Sequence, residues 1–167
     1  MTKSWILAAA CLTVAAATAV SAMGYAAVAA PAKTQSTRDG IVKVKSAYGL
    51  DETIARLKAD IEKKGIVFFS QIDQSKLAGV AGVSLRPSTL LVFGNPALGS
   101  LFITANPVAG LDWPVRLLVY QDASSQVWTA YTAFDVIARR HGITNRREAF
   151  KTASQVIASI TSSVAAK

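Results

Sequence analysis

The residues best suited to chemistry in this chain lie around Arg86 to Ser100, RPSTLLVFGNPALGS. Leu90, Leu91, Val92 and Phe93 place apolar side chains on both faces of an extended run, which predicts a strand covered on both sides. Gly94 permits a backbone angle that other residues resist. Asn95 suits an N-cap, and Pro96 suits the first helical position, where its missing N–H costs nothing. Ala97, Leu98, Leu101, Phe102 and Ala105 follow at helical spacing, and Pro107 stops the run. A helix that starts at a strand end carries free N–H groups and a partial positive charge, so it suits an anion or a carbonyl oxygen.

Side chains that could complete such a site are Asp73, Gln74, Arg86, Asn95, Pro96, Gly99 and Tyr131. Arg86 would add a fixed charge and a forked donor. A strand of about six residues separates its two ends by ~20 Å. Arg86 therefore reaches the Asn95 turn only if its loop doubles back or a second copy of the chain supplies it. Tyr120 and Tyr131 lie in neighbouring strands, and facing each other they would wall a pocket near Asn95. A well-capped helix that binds nothing, with tyrosines in the core, accounts for the same residues.

Other chemistries find little support. His141 is the single histidine and Cys11 the single cysteine, so no metal-ligand cluster can be assembled from them. There is no Gly-x-Ser-x-Gly, P-loop or dinucleotide fingerprint. Asp73, Asp112, Asp122 and Asp135 fall near strand ends or turns. Two of them could pair as general acid and base, but turn chemistry explains each equally well. His141, at a helix end, reads as a partner of the helix dipole. No cofactor and no metal are expected.

The elements that must position these residues follow from periodicity. Residues 41–46 alternate, with Val42 and Val44 opposite Lys43 and Lys45, as in a strand with one wet face. Leu50, Ile54, Leu57 and Ile61 make one stripe of a helix over 50–64 that Gly65 ends. A strand over 66–72 puts Ile66, Phe68 and Ile72 on one face. Residues 108–114 form an irregular connection. Strands over 115–121 and 126–132 make an antiparallel hairpin. A short helix over 134–141 stops at Gly142. Asn145 and Glu148 resemble a capping box for a long amphipathic helix carrying Phe150, Ala153, Ile157, Ile160 and Val164. The order predicts an α+β fold: a mixed or mainly antiparallel sheet of about five strands packed with helices, in one domain.

The 167 residues divide into residues 1–30, residues 31–40 as a polar linker, and a domain over 41–167. Lys3, the apolar run from Trp5 to Val20 and the small residues Val20-Ser21-Ala22 read as a cleaved signal peptide, with an uncleaved anchor as the alternative. Export to the periplasm or outside the cell is the expectation. Cys11 then leaves with the signal, and the mature chain has no disulfide. The formal net charge of +8 favours anionic partners. Export and the lack of interleaved basic and aromatic residues argue against nucleic acid. Arg139, Arg140, Arg146, Arg147 and Lys151 form the densest basic cluster, suited to a membrane surface or to a solvated pair of helix ends.

The run GVAGVSLRPSTLLVFGNPALGSLF, then DWPVRLLVYQDASSQVW and Tyr131, resembles the family of the domain of unknown function 302 (DUF302). The resemblance spans about Val42 to Gly142. It implies a compact α+β domain, often dimeric, and no established activity. Many members carry Asp-His where this chain has Asp73-Gln74, and proline where Phe134 stands. Glutamine hydrogen-bonds but takes up no proton near neutral pH, so an acid–base role for that site is weakened. The expectation is an exported small-ligand-binding or accessory module of the cell envelope. The alternatives are a small periplasmic enzyme using Asp73 as base with Arg86, and a structural homodimer without a small ligand.

Overall fold

The computed structural model describes residues 34–166. The expected signal segment, with Cys11, lies outside the described residues. Strand β1 (Thr34–Ser36) pairs with β2 (Ile41–Lys45), and helix α1 (Leu50–Lys63) follows. Next come β3 (Val67–Asp73), α2 (Gln74–Val80), β4 (Ser88–Gly94) and α3 (Pro96–Ala105). A 3-10 turn over Pro107–Leu111 leads into β5 (Val115–Gln121) and β6 (Val127–Thr132). Helices α4 (Phe134–Arg140) and α5 (Arg147–Ser162) close the domain. The strands form one antiparallel sheet of six in the order β1-β2-β6-β5-β4-β3. The α+β fold is therefore the expected one. The sixth strand comes from Thr34–Ser36, inside the stretch read as a linker.

The core lies between the helices and one face of the sheet. Leu57 and Ile61 of α1, Phe102 of α3, Phe134 and Ile137 of α4, and Phe150, Ile157 and Ile160 of α5 join one buried cluster. From the sheet it takes Leu91, Phe93, Leu117, Val119 and Val127. Helix α1 has the anticipated stripe, with Ile54, Leu57 and Ile61 buried, and Gly65 beyond its end takes φ +65°. That left-handed angle is what a helix-ending glycine provides.

Some local expectations fail for identifiable reasons. A register shift between Phe68 and Ser70 puts Phe68 opposite Phe93 and Ile72 opposite Leu90. Paired residues share a face, so the bulge sends Phe68 toward the core and Ile72 to the other side. In β4, Thr89, Leu91 and Phe93 are buried while Leu90 and Val92 are only half-buried, so the strand is covered fully on one side alone. Tyr120 pairs with Trp128, two residues from Ala130. Tyr131 thus falls on the opposite face from Tyr120, and the two do not meet. Asn145 and Glu148 form no capping box: Arg146 occupies the N-cap of α5, and no side chain caps it.

Candidate functional site

Strand β4 is the axis on which the sequence-predicted site residues are placed, and it separates them. At its start, Asp73 caps α2: its Oδ1 accepts from the Lys76 backbone N–H at 2.8 Å and from Ser75 Oγ at 2.6 Å. The hydrogen bond from Ser75, with that from Lys76, holds the Asp73 carboxyl below the ordinary carboxylate range. Gln74 Oε1 accepts from Ser88 Oγ at 2.8 Å, tying α2 to β4. Arg86 is exposed nearby, beside Pro87, Tyr120 and Gln121. These residues share one end of the strand.

Asn95, Pro96 and Gly99 sit at the other end, about 20 Å away by the rise of a seven-residue strand. Asn95 Oδ1 accepts from the Leu98 N–H at 3.2 Å, and the Gly99 N–H donates to the Asn95 carbonyl at 2.9 Å. Pro96 has no N–H. The start of α3 therefore retains one uncommitted backbone donor, on Ala97, together with the Asn95 side-chain amide. That is a lean set for an anion. Tyr131 is elsewhere again: it packs against the core, and burial pushes its phenol up, with the Thr161 hydroxyl acting in the opposite direction.

Beside Asn95 a cleft of about 640 Å³ opens between α3, α5 and the end of the sheet. Phe93, Trp113, Val115 and Phe134 line it from below, Leu98 and Leu101 from α3, and Val156 and Ile157 from α5. Its polar groups are Lys64, Asn95, Thr152, Gln155 and Ser159. Lys64 is its one ionised group, and it also pairs with Asp60. An apolar enclosure with a few polar groups is the usual make-up of a small-molecule site.

Trp113 shapes this cleft, and two glycines make room for it. A β-carbon built on Gly99 would stand 1.8 Å from the indole Nε1, and one on Gly94 would stand 2.8 Å from Cζ2. The indole also meets the Phe102 ring edge-on, with centroids 5.7 Å apart. The Gly94 and Gly99 of the FGNPALG run thus serve as a seat for a side chain that follows them in sequence. The residue missed as a determinant of the site is Trp113. Its position just before Pro114, at the start of a strand, was visible, but its contact with α3 was not.

A second cluster was also missed. Asp112, buried to 7% exposure, accepts from Arg140 Nη1 at 2.8 and 2.9 Å, and its Oδ2 lies 2.7 Å from His141 Nε2. Arg116 adds a contact at 3.1 Å. Burial alone would raise the Asp112 carboxyl, but the hydrogen bonds from His141 and Arg140 outweigh it and hold the group below the ordinary range. The space beside it is about 20 Å³, enough for one water and nothing larger. The arrangement ties the start of β5 to the end of α4. Of the basic cluster, Arg140 is committed to Asp112, Arg139 pairs with Asp135, and Arg146 donates to the Leu101 carbonyl. Among the described residues, no group of three His, Cys, Asp or Glu is placed to hold a metal ion.

The model of the domain of unknown function DUF302 matches residues 42–162. Two curated relatives are named fluoride-specific ion channel FluC 1, from Brucella suis biovar 1 (strain 1330) and Brucella abortus biovar 1 (strain 9-941). Each is 35% identical over 104 residues, covering 62% of this chain. The match covers 41% of the first and 38% of the second, so the chain matches about two-fifths of those relatives. A crystal structure of an uncharacterized conserved DUF302 protein from Bacillus stearothermophilus has a TM-score of 0.69 at 18% identity. It covers 75% of this chain and 98% of its own. At that identity the likeness is one of fold.

Proposed function

The chain belongs to the family of the domain of unknown function DUF302, and we propose that within it this protein is a small-ligand-binding or accessory module of the cell envelope. The observation that carries the reading is the apolar cleft beside Asn95, with Trp113 in its wall. The ligand class follows from the lining. Its body is apolar, to meet Leu98, Leu101, Trp113 and Val156. Its head is a carboxylate or carbonyl, to meet Lys64, the Asn95 amide and the hydroxyl of Ser159. A medium-chain carboxylic acid has this form. A place at the envelope is favoured by the Lys3-to-Val20 pattern. It also suits the likeness to part of proteins named as fluoride-specific ion channels.

An enzyme using Asp73 and Arg86 draws less support. Asp73 is spent on the α2 cap, and no described contact joins it to Arg86. The experiment is a thermal-shift titration of the full chain with decanoate, and a parallel one with the Gln155→Phe variant, whose ring would plug the cleft from an exposed position on α5. A ligand bound to the folded state raises Tm with concentration. We expect a saturable rise in the wild type and none in Gln155→Phe. An equal response in both, or none in either, would remove the cleft as the site.

A further inference from the structure

Helix α2 buries none of its residues, although it carries Leu77, Ala78 and Val80. Between Gln74 and Pro87 the chain leaves the sheet edge and returns, and on this excursion four aliphatic side chains face solvent. Leu77 is 61% exposed, Val80 84%, Val83 57% and Leu85 48%. Gly82, at φ +73°, turns the chain between Val80 and Val83. A seven-residue helix is marginal in water without a packed face. This one is held from its base, by the Asp73 cap and the Ser88–Gln74 bond, and not by its apolar residues.

Charge says what would cover these residues. Lys76 and Arg86 flank the aliphatic set, and both are exposed. The excursion itself holds no carboxylate, and the two beside it are engaged: Asp73 by Ser75 and the Lys76 N–H, and Asp122, which shares a hollow with Arg86, by Ser124, the Gln126 N–H and the Trp128 indole. A second copy of the chain would bring a like-charged excursion against this one. A protein interface is enriched in aromatic anchors seated in pockets. Beside its cations the excursion has Leu, Val, Ala, Gly, Ser, Gln and Pro and no aromatic residue, and it projects outward. Scattered aliphatic side chains between cations match a bilayer interface with anionic headgroups, where the aliphatic groups enter the acyl boundary and the cations meet phosphate.

We propose that the Gln74–Pro87 excursion is a membrane-docking element that inserts Leu77, Val80 and Val83 into an anionic phospholipid surface, with Lys76 and Arg86 on the lipid phosphates. It is separate from the Asn95 cleft and stands or falls without it. The excursion also locates membrane contact away from Arg139, Arg140 and Arg146, whose guanidinium groups are already engaged.

The test uses the full chain with Cys11→Ala and one new cysteine, Val80→Cys, carrying a polarity-sensitive nitrobenzoxadiazole dye. The same label at Lys58→Cys, exposed on α1 beside Gln71 and outside the excursion, serves as the reference. With vesicles of phosphatidylcholine and phosphatidylglycerol the label at position 80 shifts to the blue, and the label at 58 does not. Adding Lys76→Glu and Arg86→Glu raises the lipid concentration needed by roughly thirtyfold or more, at about a factor of five per cation lost near the surface. No shift at 80, or equal shifts at 80 and 58, overturns the proposal. So does a shift at 80 that rises with protein concentration in the absence of vesicles, which would assign the face to a second copy. A shift with polyglutamate but not with vesicles would assign it to an acidic polypeptide instead, and would equally overturn it.

Discussion

The indole of Trp113 occupies the space in which any residue larger than glycine at position 99 would carry its side chain. A β-carbon at Gly99 would lie 1.8 Å from the indole Nε1 and 1.9 Å from Cε2, inside any tolerable contact. This one relationship fixes the distance between α3 and the start of β5. It therefore sets the width of the cleft beside Asn95.

The sign of a Gly→Ala change should depend on this contact. In an open helix interior, alanine stabilises relative to glycine by about 0.5–1 kcal/mol. Gly79, with nothing within 4 Å of a built β-carbon, should behave so. Gly99→Ala must displace Trp113 and should cost about 1–3 kcal/mol, as overpacking does. Urea melts of the two variants should move in opposite directions.

The buried stripe of α1 gives a second contrast. Leu57 has no exposed surface, and Leu57→Ala should cost about 2–4 kcal/mol. Lys58 is on the wet side, with Gln71 and the Phe68 ring as its neighbours. Lys58→Ala should stay within about 0.5 kcal/mol of wild type. Equal losses in denaturant melts would mean that the helix is rotated about its axis.

Asp112 makes stability depend on acid. Its folded pKa is lowered by the bonds from His141 and Arg140, so the unfolded chain takes up its proton first as pH falls. The stabilisation is complete above about pH 5 and is lost as pH drops through the ordinary carboxylate range toward the folded value. Asp112→Asn should cost about 1–3 kcal/mol at pH 7, because a buried charged acceptor is removed from two half-exposed arginines and a buried histidine. The gap between variant and wild type should narrow below pH 4. A gap that stays constant from pH 7 to pH 3 would show that the carboxylate contributes nothing as an ion.

Asp122 offers a second titration, read at a single carboxyl. The Trp128 indole N–H donates to its Oδ2 at 2.7 Å, and Ser124 donates to Oδ1. These bonds hold its carboxyl down to about 2. In Trp128→Phe the largest of them is lost, and the carboxyl carbon observed by NMR should titrate closer to 4. An unchanged midpoint would mean that the turn amides, and not the indole, set the value.

How much of this was legible in the sequence depended on whether the cause was local. The α1 stripe, the Asn95–Pro96 helix start, and the alternation of Val42 and Val44 against Lys43 and Lys45 are read correctly because each rests on neighbours a few residues away. The bulge at Phe68–Ser70 was not legible, since it depends on how β3 meets β4, and it reversed the face of Ile72. Tyr131 was placed near Asn95 on strand adjacency alone, and the parity of the hairpin put it on the other face from Tyr120. Asp112 and His141 are separated by 29 residues and carry no motif, so a lone histidine beside a helix end offered no hint of its partner. The cleft needed α5 to return across α3. That packing follows from the amphipathic face of α5 but not from any spacing near Asn95.

The most direct measurement of the central claim is a two-dimensional 15N NMR titration of the full chain with decanoate, read at the tryptophan indole N–H signals. Trp113 lines the cleft, whereas Trp128 lies on β6 and is bonded to Asp122. Binding in the cleft predicts a saturable shift of the Trp113 signal, no shift at Trp128, and loss of the effect in Gln155→Phe. A Trp113 signal that stays still up to millimolar ligand, or that moves in step with Trp128 and survives Gln155→Phe, would contradict the account.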